Sequence, residues 1–307
     1  SRIPEYIARA MHIATSGRAG PVVLGLPEEI LSQVVEDTPI KPIALQPQKP
    51  HPHDIKNLLN ILGSAQKPLV IVGGSNWSDE ACEDLASFAA SAHLPVAASF
   101  RRQDILDHHS HHYVGDIGFG TNPELLKAAR EADTILILVA RSSEVLTQSY
   151  TLFRPDQTLI HVYPSADEIG KAYTPDLAIC ANINATVAAL AASRLDGRKW
   201  AGWRDALRQS YQNWNAIEEG DDTQKNIEWD GADMTQIFAH LRDNLSEDAI
   251  LTTDAGNFSG WVNRYIQFKR PRRLLAPLSG AMGYASPAAI SAALEHRERC
   301  VLGICGD

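Results

Sequence analysis

Asp254, Gly256 and Asn257 belong to a four-residue turn, Asp254-Ala255-Gly256-Asn257, that follows the apolar run 249–253. A strand ending this way sets an acid, a glycine and an amide at a sheet edge, where α/β proteins bind ligands. A second turn, Ser279-Gly280-Ala281-Met282-Gly283, carries two glycines, which let backbone approach a bound molecule because no Cβ stands in the way. The chain closes on Gly306-Asp307 after the apolar run 301–305. An aspartate there is a hard oxygen ligand suited to Mg2+ on a diphosphate. Singly, each turn has a structural reading, as a helix cap, a tight turn or a chain end. Together they share one chemical style.

Other groupings carry less. Asp107-His108-His109-Ser110-His111-His112 sets four histidines in five positions, but zinc ligands converge from separate elements, which neighbours in one loop seldom do. Gly73-Gly74 after an apolar run suggests nucleotide binding, yet no GxGxxG follows. Arg101-Arg102-Gln103-Asp104 could meet an anion, although a solvated charged loop is the preferred reading. Trp200, Trp203, Trp214 and Trp229 could stack bases, but Glu218-Glu219 and Asp221-Asp222 run beside them, so a linker helix packed on its neighbours is expected.

The elements that must position these turns read as alternating helix and strand. Helical spacing over 4–16 leads to an apolar run over 21–27 that is expected as a short buried strand, the tail (1–33) of a domain whose body lies upstream. Residues 34–52 hold Pro39, Pro42, Pro47, Pro50 and Pro52 and are read as a linker. From 53 to 196, helices over 55–65, 78–92, 123–131 and 183–192 alternate with strands over 68–72, 95–98, 134–139, 158–163 and 177–180. That alternation predicts a parallel sheet with helices on both faces, a Rossmann-like domain. Residues 197–233 form a second linker. From 234 to 307 another α/β unit opens, with helices over 237–245, 261–268 and 287–294 and strands over 249–253 and 301–305. It holds about half of a domain on the usual size prior.

With charged residues at 21% and hydrophobic residues at 44%, the composition is that of a globular chain. A net charge of -9 with no basic block argues against nucleic acid. No run reaches the roughly 18 apolar residues of a membrane span. Cys82, Cys180, Cys300 and Cys305 are scattered without a CxxC pair, which fits reduced thiols in a cytoplasmic setting. The first residues, Ser-Arg-Ile-Pro, lack an initiator Met and a signal pattern, and the final apolar run has no element after it to cover it. The expectation is a piece of a longer protein, cut within its own site.

In this order the parts resemble the thiamine diphosphate enzymes of the acetolactate synthase and benzoylformate decarboxylase type. Leu278-Ser279-Gly280-Ala281-Met282-Gly283-Tyr284-Ala285-Ser286-Pro287-Ala288-Ala289 resembles that family's GxMGxxxPAA stretch. Gly20-Pro21-Val22-Val23-Leu24-Gly25-Leu26-Pro27 resembles its GPVxxxxP strand, which ends the pyrimidine-binding domain. The resemblance covers the whole chain. It implies an α/β fold, with a Rossmann-like parallel-sheet central domain and a partial thiamine diphosphate-binding α/β domain.

The resemblance also implies roles. Met282 would sit beneath the cofactor and force its rings into a V, and the Gly280 backbone would accept from the 4'-amino group. Gly256 and Asn257 would lie near the diphosphate, and Asp307 would ligate Mg2+. Asp254, Ser279, Ala281 and Gly306 complete the expected cofactor set. The implied chemistry is decarboxylation or carboligation of a small-molecule 2-oxo acid, with the cofactor as electron sink. No catalytic residue is expected within the chain, since the family's activating Glu belongs to the upstream domain. The family builds each site from two subunits, implying a homodimer or homotetramer. Some members bind FAD in the central domain. Arg141 falls where a flavin-contacting arginine occurs, but Ser142-Ser143-Glu144 departs from the flavin pattern, which places FAD second. The alternatives are a benzoylformate decarboxylase-like or aldehyde lyase enzyme, or a ligand-binding or regulatory module with a vestigial cofactor site.

Overall fold

In the computed structural model, which describes residues 2–34, 41, 43, 46–217 and 231–306, the chain opens on helix α1 (Ile3–Thr15) with Pro4 in its first turn. A proline fits there because the N–H it lacks would have no helical partner. Tyr6, Ile7, Met11 and Ile13 of this helix remain exposed. Segment 21–27, expected as a buried strand, pairs with no strand among the described residues, and Val23 is 91% exposed. A strand needs neighbouring strands for its backbone hydrogen bonds, and none stands beside this one. A single turn, α2 (Glu28–Leu31), follows.

Helix α3 (Pro52–Ser64) leads into strand β1 (Pro68–Val72). Helix α4 (Asp79–Ser91) starts where the Ser78 hydroxyl accepts the Ala81 N–H at 3.1 Å. Strands β2 (Val96–Ser99) and β3 (Tyr113–Ile117) come next, then helix α5 (Pro123–Glu131), strands β4 (Thr134–Leu138), β5 (Thr158–Tyr163) and β6 (Leu177–Cys180), and helix α6 (Ile183–Ala191). Asn122 and Asn182 cap α5 and α6 through the N–H groups of Glu124 and Ala185. Such caps contribute about 1 kcal/mol each.

The six strands run parallel in the order β3-β2-β1-β4-β5-β6. Alternate residues of the central strands feed two cores. Leu69, Ile71, Ile135 and Ile137 pack on one face with Leu125 and Ala129 of α5, while Val70, Val72, Leu136 and Leu138 pack on the other with Leu85, Phe88, Val187 and Leu190. Burial on both faces is why these runs lack polar alternation. Chain progression reverses between β1 and β4, which makes their carboxyl ends the switch point of the sheet.

The linker tryptophans are structural. A turn of 3-10 helix over 198–200 precedes helix α7 (Ala201–Asn215). The Trp200 ring is fully buried, with Nε1 donating to the Ala65 carbonyl at 2.9 Å, and Trp203 Nε1 donates to the Pro68 carbonyl at 2.9 Å. The Arg264 guanidinium covers Trp214 at 4.1 Å from the ring centroid. Trp229 and the acidic run Glu218–Asp222 lie outside the described residues, as do Pro39 and Pro42.

The second sheet follows helix α8 (Met234–Asn244), which Asp233 caps through the Thr235 and Gln236 N–H groups. It contains strand β7 (Ile250–Thr253), helix α9 (Ser259–Tyr265), strand β8 (Leu274–Leu275), helix α10 (Ala285–Glu295) and strand β9 (Val301–Ile304). The strands run parallel in the order β8-β7-β9. Its core is small, built from Phe238, Leu251, Val262, Tyr265, Ile266, Phe268 and Leu274.

Candidate functional site

Because β8, β7 and β9 are parallel neighbours, the loops leaving their carboxyl ends meet at one edge. Thr253 lies beside Ile304 in register, and the Asp254 N–H donates to the Ile304 carbonyl at 3.1 Å. This brings the Asp254–Asn257 turn against Gly306. The Phe258 ring lies between them: a Cβ on Gly256 would stand 2.5 Å from its Cε1, and one on Gly306 would stand 3.1 Å from the same atom. Both positions are therefore glycine for closeness to one ring. Asp307 lies outside the described residues, and among those described no group of His, Cys, Asp or Glu could hold a metal ion.

Asp254 is buried and turned inward. Its Oδ1 accepts the Ala285 N–H at 2.7 Å, at the first residue of α10, while the Thr252 hydroxyl donates to the Ala285 carbonyl at 2.8 Å. Ser279, Gly280, Ala281, Met282 and Gly283 are all exposed, and the Met282 side chain is 82% open. Gly280 and Gly283 adopt φ of +72° and +78°, while a Cβ on either would meet nothing within 4 Å. Conformation, not space, requires glycine there. The turn thus presents bare backbone and an exposed thioether.

Arg101, Gln103 and Asp104 overturn the solvated-loop reading, since all three are buried at 3% exposure or less. The Arg101 guanidinium donates to the Pro277 carbonyl and, at 3.0 Å, to the Asp254 carbonyl. Asp104 Oδ2 accepts the Arg273 and Leu274 N–H groups at 2.7 and 2.9 Å. Gln103 Nε2 donates to Asn263 Oδ1 at 2.9 Å. The loop after β2 therefore grips the smaller sheet at the roots of its site loops. The charges pointed to solvent in the sequence, and no local signal marked their distant acceptors.

Between the two sheets runs a cleft of about 960 Å3. Arg18, Arg102 and Arg141 line it beside Gly74 at the switch point, and Leu278 and Ser279 close the opposite side. Arg102 Nε donates to the Gly74 carbonyl and Arg18 pairs with Glu168 at 3.3 Å. Arg141 has no hydrogen bond or ion pair for its guanidinium among the described residues.

Among the described residues the histidines of the run do not gather into a group that could hold a metal ion. His108 is buried and stacked on Tyr113 at 4.0 Å, with Nε2 2.9 Å from the Gln103 carbonyl and Nδ1 3.1 Å from the Tyr211 hydroxyl. Burial pushes its pKa down to about 3. His112 is also buried, against the Leu94 carbonyl at 3.1 Å, whereas His109 and His111 face solvent.

Comparison with known proteins gives matches on both sheets. The family described as thiamine pyrophosphate enzyme, central domain, matches residues 55–190. The one described as thiamine pyrophosphate enzyme, C-terminal TPP binding domain, matches residues 254–307. An acetolactate synthase of Mycobacterium leprae is 26% identical over 318 residues, covering 99% of this chain and 49% of the relative. Acetolactate synthase isozyme 2 large subunit of Escherichia coli is 25% identical over 309 residues, 99% of this chain and 54% of its own. A probable acetolactate synthase large subunit of Methanocaldococcus jannaschii is 26% identical over 317 residues, at 99% and 53%. The chain spans about half the length of these relatives.

Proposed function

Given that this chain belongs to the thiamine pyrophosphate enzyme family, we propose that it carries part of the thiamine diphosphate site of an acetolactate synthase-like enzyme that decarboxylates or joins 2-oxo acids. One observation carries the reading. The loops after β7, β8 and β9 converge on one edge, where glycines at 256 and 306 crowd a single phenylalanine and glycines at 280 and 283 leave backbone bare. Such an edge suits an anionic cofactor that must lie close to main chain.

In this reading Gly256, Asn257 and Gly306 receive the diphosphate end. The Gly280 carbonyl accepts from the aminopyrimidine, and Met282, exposed at 82%, packs beneath it, with Ser279 and Ala281 beside it. Asp254 shapes the edge through Ala285 rather than touching the ligand. Asp307 is the proposed Mg2+ ligand. When bound, thiamine diphosphate supplies an electron sink for the bond next to the substrate carbonyl. In this reading the activating Glu comes from outside these 307 residues, and the chain alone should bind cofactor weakly and turn over no substrate. The exposed apolar residues of α1 and of α10 (Ile290, Leu294) support assembly as a homodimer or homotetramer. Scattered free cysteines support a cytoplasmic setting.

Calorimetry with thiamine diphosphate and Mg2+, on this chain and on the full-length protein, tests the reading. Weak binding by the chain, with tight binding and release of carbon dioxide from a 2-oxo acid by the full-length protein, is the expected pair. Tight binding by the chain alone would overturn its incompleteness, and a full-length protein that binds no thiamine diphosphate would overturn the function. A second ligand in the arginine-lined cleft is favoured by Arg141, and flavin absorbance of the purified protein decides whether that ligand is FAD.

A further inference from the structure

The exposed turn at 279–283 has one backbone hydrogen bond at its start, from the Gly280 N–H to the Pro277 carbonyl at 3.3 Å, and little else of its own to hold it. A Cβ at Gly280 or Gly283 would touch nothing, and Met282 reaches into open space. Its geometry depends on the two points where it is tied. One end is Pro277, whose carbonyl takes a hydrogen bond from Arg101. The other is Ala285, whose N–H is held by the Asp254 carboxylate at 2.7 Å. Asp254 is itself held, through its carbonyl, by the second arm of the same Arg101 guanidinium at 3.0 Å. A planar fork with two donor arms can fix two carbonyls at a set separation, which a single ammonium cannot do.

Asp104 fixes the strand that feeds the turn. One carboxylate oxygen accepts two successive N–H groups, those of Arg273 and Leu274, and the Asp104 carbonyl accepts the Arg272 N–H at 3.1 Å. This sets the height of β8 against the larger sheet. Arg101 adopts φ +58°, a left-handed conformation costly for any residue but glycine, so the loop is bent against local preference to aim the guanidinium. The bonds of Arg101 to Pro277 and Asp254, of Leu274 to Asp104 and of Ala285 to Asp254 are buried, and a buried hydrogen-bond network of this kind has few alternative arrangements.

We propose that Arg101 and Asp104 are positioning residues of the cofactor site. From the central domain they set the distance between the Asp254 turn and the Pro277–Gly283 turn, and so govern affinity for thiamine diphosphate. The proposal rests on the reading of that edge as the thiamine diphosphate site.

The test uses the full-length protein and its variants R101A, R101K, D104A and D104N. Amide hydrogen exchange reports the clamp without any ligand, and titration of thiamine diphosphate with Mg2+ reports its consequence. R101A should speed exchange over 277–285 and 254–258 while strands 68–72 and 134–138 keep their protection. It should weaken thiamine diphosphate binding by about tenfold or more. R101K, with one point of attachment, should fall between. D104N keeps an oxygen that accepts both N–H groups and should bind like the parent, whereas D104A should not. Unchanged exchange and unchanged affinity in R101A would overturn the proposal, as would a D104N variant as impaired as D104A. A parent protein that binds no thiamine diphosphate would sink the assignment of the edge itself, and the exchange data would still decide whether the clamp exists.

Discussion

Asp254 and Ala285, 31 residues apart, are joined at 2.7 Å by a buried hydrogen bond from the Ala285 N–H to the Asp254 carboxylate. One carboxylate oxygen of the acid expected to bind the cofactor is engaged by the first residue of helix α10. It satisfies an N–H group that the first turn of a helix leaves without an internal partner, and it stands on the side of the turn where a carboxylate complements the helix dipole. The carboxyl end of β7 and the amino end of α10 thereby become one rigid corner, from which the exposed glycine turn is hung.

Removing that carboxylate should loosen the corner. D254A leaves the Ala285 N–H buried without a partner, at an expected cost of about 1–3 kcal/mol. D254N keeps an acceptor and should lose less. T252V, which removes the hydroxyl's bond to the Ala285 carbonyl while the helical acceptor role of that carbonyl remains, should resemble D254A in direction and cost less. Urea unfolding of the three variants checks this, and a D254A protein as stable as the parent would show that the bond contributes nothing.

Gly256 gives a sharper geometric prediction. A methyl group there would meet the Phe258 ring at 2.5 Å, well inside contact distance, so G256A must push the ring aside. Overpacking of this kind costs about 1–3 kcal/mol. Truncating the ring removes the conflict, so G256A and F258A should be non-additive, with the double variant more stable than the sum of the single losses predicts. Simple additivity in a thermal melt series would show that the ring and the glycine do not meet.

How much of this was legible depends on whether the signal is local. The runs 68–72, 134–138 and 158–163 declare themselves because a strand buried on both faces needs only apolar residues in sequence. Strand β3 does not. Its pairing shifts by one residue between Val96↔Tyr113 and Ala98↔Asp116, Gly115 turns to φ +113°, and the result is a bulge with an acid inside a short apolar run. Segment 21–27 errs the other way: its composition is that of a strand, but strands are made by partners. At the site, the glycines were readable because special conformations and close approaches demand them. Arg101 was misread because its acceptors, Asp254 and Pro277, lie 153 and 176 residues away.

His108 should make the fold acid-sensitive. Its ordinary pKa of 6.5 is pushed down to about 3 by burial, with Arg208 and His109 adding in the same direction and the Gln103 carbonyl opposing. Below pH 6.5 the unfolded chain takes up a proton that the folded chain refuses, so stability falls as pH drops from 6.5 toward about 3. H108F keeps the stack on Tyr113 but leaves the Tyr211 hydroxyl without its ring-nitrogen partner. It should be less stable at neutral pH by about 1–3 kcal/mol, yet show a shallower loss on acidification. A parent-like slope in the variant would place the acid sensitivity elsewhere.

Asp116 runs in the opposite direction. Its carboxyl lies among protein atoms at the end of β3, although part of the residue remains open to solvent, and its side-chain partner is the Gln103 amide at 3.4 Å, a marginal hydrogen bond. Burial raises its pKa from 3.8 to about 7. Between those values the folded chain holds a proton that the unfolded chain has released, so raising the pH through this window removes stability. D116N cannot ionise and should escape that loss. Relative to the parent, the variant should gain stability steadily from about pH 4 to about pH 7 and hold a constant advantage above it. Chemical unfolding of both proteins at acidic and mildly alkaline pH reads the difference directly. A variant that is the weaker protein at alkaline pH would mean that Asp116 is ionised in the fold and held by a favourable partner, and the burial argument would fail.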